Sequence, residues 1–249
     1  VLKKVIEKMP NESTIFIGDQ ANMPYGDRSR EEIISLTRDS VNFLLSKDVK
    51  IIIFGCNTAT AVAMSTIQKE IPLQIIGVVQ SGALAAARTT ETKNVAVIGT
   101  KATVDSHSYL KEIQYRDPEI KVSEFSQPKL APLAEANPDE DTKNAVVSES
   151  LTPLKNADYD TLVLGCTHYP LLRDEIVAVV GQDKKIVDPA DQVAQYTYNV
   201  LRRDDLFAES TAPVKHDYYT TGEAKKFTEI TRQWMNDDTI VGRHVDAED

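Results

Sequence analysis

Short apolar runs alternate with helical patterns along most of this chain. Most of the runs are rich in β-branched residues, as buried parallel strands are. In chain order they are TIFIGD from Thr14, VKIIIFGC from Val49, LQIIGVV from Leu73, VAVIGT from Val95, KVSEFS from Lys121, TLVLGC from Thr161 and KIVDP from Lys185. Regular alternation of strands with helices predicts an α/β protein whose mainly parallel sheets carry helices on both faces.

Two apolar stripes recur at helical spacing and predict amphipathic helices. The first consists of Ile33, Ile34, Val41, Leu44 and Leu45, and the second of Ala224, Phe227, Ile230 and Trp234. Residues spaced in this way share one face of a helix, so both stripes are predicted to belong to the core.

Two polar breaks divide the pattern. The first runs from Thr89 to Asn94, and the second is the turn Asp188-Pro189-Ala190. Such breaks are typical of connections between compact units. We predict a first lobe of residues 1–92 plus 191–249, a second lobe of residues 93–190, and a cleft between them.

The chain has two cysteines, and they stand in matching positions. Cys56 closes IIIFGC and Cys166 closes TLVLGC, and each is followed by polar residues that can begin a helix. Ligands of open α/β sheets bind at the carboxyl ends of the strands. The helix N-terminus there favours a thiolate, so we expect the pKa of each cysteine to fall below about 8.5. The two thiols are predicted to line the cleft from opposite lobes.

Other interpretations of the two cysteines remain. Cysteine is often a small buried apolar residue, and both thiols can simply belong to the core. A structural disulfide is disfavoured by the absence of an apolar signal segment. A Cys-x-x-Cys redox pair or a zinc site is disfavoured because the cysteines are far apart and no His or Cys cluster completes a ligand set.

The amino-acid composition limits the classes of molecule that this protein can be expected to bind. Lys and Arg number 28 against 38 Asp and Glu, a net charge of −10, and no basic cluster stands out. This balance argues against nucleic acid or an anionic membrane as the partner. No apolar stretch reaches the roughly 18 residues of a membrane span, so we expect a soluble, cytoplasmic protein that binds a small molecule.

Two thiols on opposite sides of one carbon suit a particular reaction. One removes a proton from one face and the other returns a proton to the opposite face, which racemises an amino acid at its α-carbon. Negative charge that develops on the substrate needs hydrogen-bond donors. The residues placed for this are Asn57, Thr58, Thr167, Thr100 and Thr103. Each of them can instead be an ordinary helix cap.

Three further residues are candidates near the thiols. His168, two residues after Cys166, can tune that thiol or contact the substrate, or it can be a structural histidine. Glu135 can orient His168, although the sequence favours a solvated position. The turn at Tyr25 and Gly26 can bring a backbone N–H to a ligand.

The motifs resemble those of the bacterial glutamate racemase family. The segments are GCNTATA from Gly55, GCTHYPLL from Gly165, MPYG from Met23 and VIGTKAT from Val97, and the resemblance covers essentially the whole chain. It implies two similar doubly wound, flavodoxin-like lobes, with the active site in the cleft between them.

The resemblance also implies an activity: interconversion of L- and D-glutamate without pyridoxal phosphate, metal or other cofactor, to supply D-glutamate for peptidoglycan. Cys56 and Cys166 would be the two acid/base thiols, and His168 would assist Cys166. Substrate contacts would come from the residues beside the thiols and from the turn, namely Tyr25, Gly26, Asn57, Thr58, Thr167 and His168. A homodimer is implied as well.

One departure and three alternatives accompany this interpretation. The family has a strand and an Asp-Ser-Gly-x-Gly-Gly loop ahead of the helix at which this chain starts, so we expect the natural protein to carry residues before Val1.

A racemase of aspartate or another acidic amino acid would differ by pocket depth alone. A non-catalytic ligand-binding relative would not exchange the α-hydrogen of glutamate. A thiol-redox protein would form a disulfide between Cys56 and Cys166.

Overall fold

The computed structural model describes residues 1–209 and 211–246. Its strands are β1 (Thr14–Gly18), β2 (Ile52–Phe54), β3 (Ile75–Gly77), β4 (Asn94–Gly99), β5 (Lys121–Ser126), β6 (Thr161–Gly165), β7 (Lys185–Val187), β8 (His216–Thr220) and β9 (Gly242–His244). Its helices are α1 (Leu2–Lys8), α2 (Arg30–Leu45), α3 (Asn57–Val62), α4 (Met64–Ile67), α5 (Val78–Thr89), α6 (Lys101–Asp105), α7 (Ser108–Arg116), α8 (Leu130–Ala136), α9 (Glu140–Ser150), α10 (Arg173–Val180), α11 (Pro189–Arg203) and α12 (Ala224–Met235). The strand pairs within these ranges are parallel, which confirms the predicted fold class.

The β4–β7 sheet has the strand order β5-β4-β6-β7. Successive side chains of a strand point to opposite faces, and buried apolar clusters cover both sides of this sheet. One cluster contains Ile98 and Leu164, and the other contains Val97 and Val163. The predicted sheet with two covered faces is therefore present in the second lobe.

The register of this sheet places two loops side by side. Gly99, the last residue of β4, pairs with Gly165, the last residue of β6. The residues that follow, Thr100 and Cys166, therefore leave the sheet at the same carboxyl edge.

The first lobe is built differently from the second. In the described part of the chain its strands form two separate sheets, one of order β1-β8-β9 and one of β2 with β3. Both predicted lobes therefore contain parallel strands and helices. They differ in sheet arrangement, because no backbone hydrogen bonds pair β1 with β2 in the described part of the chain. Phe54 pairs with Gly77 at the end of the β2–β3 sheet, and this pairing brings Cys56 to its carboxyl edge.

Helix α5 contacts both lobes. It lies in the first lobe by the predicted boundaries, yet its buried residues Val79, Ala83 and Ala86 belong to the cluster that covers the β4–β7 sheet. Asp188 begins α11, where its carboxylate accepts a hydrogen bond from Ala190 N–H at 2.9 Å. The residue boundaries of the two lobes remain a prediction.

The two predicted helical stripes differ in burial. Ile33 and Val41 of α2 are buried, and so is Phe227 of α12. Trp234 is 40% exposed, so its assignment to the core was wrong. It lies seven residues, or about two helical turns, after Phe227, the buried residue of α12.

Within residues 1–209 and 211–246, no helix is both long enough and apolar enough for a membrane crossing.

Candidate active site

Cys56 lies at the carboxyl end of β2 and begins α3. Its Sγ accepts a hydrogen bond from Ala59 N–H at 3.5 Å. The side chain is reached by solvent, but neighbouring protein atoms remove part of its hydration. Loss of hydration raises the pKa of Cys56, and the hydrogen bonds from Ala59 and Thr58 offset this only in part. The expected lowering of this pKa was therefore wrong, because desolvation outweighs the helix N-terminus here.

Cys166 lies at the carboxyl end of β6 and is buried. Its Sγ is 3.8 Å from Nδ1 of His168. The other ring nitrogen, Nε2, is 2.8 Å from Oε1 of Glu135, which α8 supplies. Cys166, His168 and Glu135 thus form a continuous chain of polar contacts. Glu135 is at the same time exposed, as the sequence predicted.

The pKa of His168 follows from these neighbours. Burial lowers it, but the hydrogen bonds and negative charges of Cys166 and Glu135 more than compensate, and the pKa rises from 6.5 to about 10. The imidazole is therefore protonated at neutral pH. A positive charge next to Cys166 stabilises negative charge on its sulfur.

The two thiols affect each other electrostatically. A charge on Cys166 raises the pKa of Cys56 further, beyond the effect of burial. Both cysteines are free thiols in this structure.

Three threonine hydroxyls, one from the first predicted lobe and two from the second, lie within hydrogen-bond distance of one another. Thr58 Oγ1 is 2.9 Å from Oγ1 of Thr100 and 3.4 Å from Oγ1 of Thr103. Thr100 and Thr103 hydroxyls are 3.0 Å apart. Thr100 also caps α6, since it accepts a hydrogen bond from Thr103 N–H at 3.3 Å. The cluster joins the first lobe to the second beside Cys56.

Asn57 is buried and held in one orientation. Its Oδ1 accepts a hydrogen bond from the hydroxyl of Tyr109 at 2.7 Å. Its Nδ2 has no hydrogen-bond partner among the described residues. A buried, unpaired donor next to Cys56 is suited to a polar group of a ligand.

The turn at Tyr25 and Gly26 lies against the second lobe. Gly26 approaches Thr100 so closely that a Cβ on it would lie 2.9 Å from Thr100 Cβ. Tyr25 donates a hydrogen bond to Oδ2 of Asp19 at 2.5 Å. Burial raises the pKa of Tyr25, and so do Asp19 and a charge on Cys56, which places this tyrosine near the first thiol.

Thr167 lies between Cys166 and His168 in the chain. It is half-buried in the turn after Cys166. In the described part of the chain, no hydrogen bond joins its side chain to the other predicted site residues. Nor does any group of three or more His, Cys, Asp or Glu residues in that part lie close enough to hold a metal ion.

Three residues of this region were not predicted as site residues. They are Asp19, which holds Tyr25; Tyr109, which holds Asn57; and Trp234, which lies against His168. Tyr109 and Trp234 occupy helical positions that are typical of core residues. Asp19 follows the strand TIFIG, and its place at a strand end was the one available signal.

The chain was compared with known proteins. The family model described as Asp/Glu/Hydantoin racemase matches residues 1–197. A glutamate racemase of Lactobacillus johnsonii is 98% identical over 249 residues, which cover 100% of this chain and 94% of that protein.

Two solved structures resemble this one. The glutamate racemase isoform RacE1 of Bacillus anthracis is 36% identical, with a TM-score of 0.95 over 100% of this chain and 93% of that chain. The glutamate racemase of Francisella tularensis, solved in complex with D-glutamate, is 27% identical, with a TM-score of 0.91 over 99% of this chain and 92% of that chain. Because the family model matches residues 1–197 and a relative is 98% identical over the whole chain, the chain belongs to the Asp/Glu/hydantoin racemase family.

Proposed function

We propose that this protein interconverts L- and D-glutamate, with Cys56 and Cys166 as the two acid/base groups. One observation carries the proposal: two free thiols follow strands of different sheets at their carboxyl edges, and one of them contacts His168, which in turn contacts Glu135. The near-identical relative is a glutamate racemase, and the family match agrees with the chemistry.

The proposed reaction is a pair of proton transfers at the α-carbon. The thiolate of one cysteine takes the α-hydrogen as a proton, and the electron pair of the C–H bond stays on the substrate. The thiol of the other cysteine gives its proton to the opposite face of the same carbon. After one turnover the two thiols have exchanged protonation states, and the reverse turnover or exchange with water restores them.

His168 and Glu135 are proposed to prepare Cys166 for this role. The imidazolium of His168 attracts negative charge on the sulfur, and the carboxylate of Glu135 keeps the imidazole protonated. Cys56 has a raised pKa, so it holds its proton at neutral pH. Cys166 is therefore proposed as the base of the first turnover and Cys56 as its acid.

The substrate becomes more negative as the α-hydrogen leaves. The unpaired Nδ2 of Asn57 and the hydroxyls of Thr58, Thr100 and Thr103 are proposed to stabilise this charge. Donors that are already oriented before the reaction need no rearrangement as the charge forms. Thr167 and the turn at Tyr25 and Gly26 are proposed as further substrate contacts.

The wider role is part of the same proposal. Because the thiols move both protons and the polar groups stabilise the charge, the reaction needs no cofactor. We propose that the product D-glutamate serves peptidoglycan synthesis in the cytoplasm, and that the protein works as a homodimer without nucleic-acid partners. The family resemblance supports the peptidoglycan role and the homodimer. The net charge of −10 argues against nucleic-acid partners.

Single variants Cys56→Ser and Cys166→Ser test the mechanism. A hydroxyl is a much weaker acid than a thiol, so each variant should lose at least about 100-fold in turnover of L-glutamate, followed by circular dichroism. The exposed Ser65 on α4 supplies a control, because Ser65→Ala should keep the wild-type rate.

Two further measurements separate the alternatives. Wild-type protein in deuterated water should introduce deuterium at the α-carbon of glutamate faster than at that of aspartate, whereas a ligand-binding protein without activity would introduce none. Unfolding midpoints of both cysteine variants should stay near that of the wild type. Near-normal turnover by either variant would reject the two-thiol mechanism.

A further inference from the structure

Helix α12 brings an aromatic ring to the candidate site. The indole of Trp234 lies edge to face with the imidazole of His168, with ring centroids 5.7 Å apart and an angle of 83° between the planes. These values fall in the range that is favourable for aromatic pairs. Trp234 is the only tryptophan of the chain. The proton-transfer mechanism proposed above assigns no role to it.

The contact crosses from one lobe to the other. Helix α12 is attached to the first lobe, because Phe227 stacks on Phe16 of β1 and Arg232 donates a hydrogen bond to the carbonyl of Ile240 at 2.8 Å. His168 follows β6 in the second lobe. The first lobe therefore supplies a side chain to the histidine that contacts Cys166.

The contact with Trp234 restricts the orientation of the imidazole of His168. Two polar contacts hold the ring at Nδ1 and Nε2, with Cys166 and Glu135 respectively. Each of them meets the ring at a single atom, so the imidazole can still tilt by rotation about its Cβ–Cγ bond. A neighbouring ring at 83° blocks that tilt. The separation of 3.8 Å between Nδ1 and Cys166 Sγ is long for a hydrogen bond, so a small tilt is enough to break it.

We infer that Trp234 is a positioning residue that keeps the imidazole of His168 directed at the sulfur of Cys166. The inference rests on the proposed function to the extent that His168 assists Cys166 in proton transfer. It adds a residue from the opposite lobe, so the alignment of the second thiol depends on how the lobes are held together.

The experiment compares Trp234→Ala, Trp234→Phe and the control Gln233→Ala, whose side chain is an exposed neighbour on α12. The first readout is kcat and KM for glutamate. Misalignment at a reacting group costs rate more than binding, so Trp234→Ala should lose about tenfold in kcat with KM nearly unchanged. Trp234→Phe keeps an aromatic ring and should stay within about threefold of the wild type. Gln233→Ala should match the wild type.

The second readout needs no turnover. Iodoacetamide alkylates thiolates, and peptide masses separate the rates at Cys166 and Cys56. In Trp234→Ala the rate at Cys166 should fall several-fold relative to Cys56, because the imidazolium no longer faces its sulfur. Cys56 is the internal reference within the same molecule.

The outcomes are distinct. An unchanged or higher ratio of Cys166 to Cys56 alkylation in Trp234→Ala overturns the inference, and it does so even if kcat falls, since a packing defect in α12 would explain that fall. A lower ratio supports the inference. If the ratio falls while the wild type itself fails to racemise glutamate, the positioning role stands and the proposed function is rejected.

Discussion

At the residue scale, the carboxylate of Glu135, together with Cys166, keeps the imidazole of His168 protonated to higher pH. Hydrogen bonds and charges from Cys166 and Glu135 raise the pKa of His168 to about 10 in spite of its burial. In Glu135→Gln a neutral amide replaces the carboxylate, and the pKa should fall back towards 6.5. The imidazolium is then lost at a lower pH, so the alkaline decline of kcat should move to lower pH.

The measurement is the pH dependence of kcat for wild type, Glu135→Gln and the control Glu140→Gln. Glu140 is an exposed residue of α9, and its variant should follow the wild-type curve. His168→Asn should lower turnover less than either cysteine variant, and it should lack the alkaline decline. Identical curves for wild type and Glu135→Gln would contradict the role of Glu135.

A second residue-scale prediction concerns the hydroxyl of Tyr109. This side chain is fully buried, and its hydroxyl fixes the amide of Asn57. Tyr109→Phe keeps the packing but leaves Oδ1 of Asn57 without a donor, which should cost about 1 to 3 kcal/mol of unfolding free energy. The freed amide can rotate, so KM for glutamate should rise. Thermal unfolding and steady-state kinetics check the two effects separately, and an unchanged KM would mean that Asn57 does not contact the substrate.

The sequence identifies site residues that stand directly after strands. Cys56, Cys166 and Thr100 were predicted there because parallel strands end at one edge of a sheet, and the structure places all three at carboxyl edges. Tyr109 and Trp234 were not predicted as site residues, because their contacts depend on how distant helices pack. The pKa direction of Cys56 was wrong for a similar reason. The sequence can predict that Cys56 stands at the start of a helix, but it cannot predict how much protein surrounds the sulfur and removes its hydration.

At the element scale, the start of β6 is tied to the connection between α5 and β4. Asp160 accepts hydrogen bonds from the Thr90 hydroxyl at 2.7 Å and from the N–H groups of Glu91 and Thr92 at 2.6 and 2.9 Å. Burial alone would raise the pKa of Asp160, but these bonds hold it well below its usual range. The carboxylate therefore fastens one of the two predicted connections between the lobes.

Asp160→Asn should destabilise the protein at neutral pH, by about 1 kcal/mol, since an amide cannot replace all these acceptor contacts. A depressed pKa stabilises the fold above the unfolded value of about 3.9, and the contribution is lost as the pH falls below that value. The difference in unfolding midpoint between wild type and variant should thus shrink in acid. Asp158→Asn, an exposed neighbour, is the control. A difference that is independent of pH would show that the carboxylate charge is not the cause.

The elements themselves were predictable where they are apolar. All seven predicted strands are present, although β2 and β3 are only Ile52–Phe54 and Ile75–Gly77. Strands β8 and β9 were missed, because HDYYT and GRH have no continuous apolar run. They are stabilised by pairing with β1 and with each other, and a single sequence does not show which segments pair over such a distance.

At the scale of the whole molecule, the candidate site combines residues from both predicted lobes. Cys56 and Asn57 come from the first lobe, and Cys166 and Tyr109 from the second. The hydrogen bond from Tyr109 to Asn57 and the threonine cluster at Thr58 connect the two sides. A ligand that contacts both Cys56 and Cys166 would therefore contact both predicted lobes at once.

This arrangement makes a prediction about the two thiols together. Glutamate bound between Cys56 and Cys166 should slow the alkylation of both by iodoacetamide, and because one ligand covers both sulfurs, half-maximal protection should occur at the same concentration for each. Aspartate is one methylene shorter and should need a concentration at least about tenfold higher. Protein unfolded in urea should show no protection. If glutamate protects one thiol alone, or protects the two at different concentrations, the sulfurs do not share a ligand, and proton transfer to opposite faces of one carbon is ruled out.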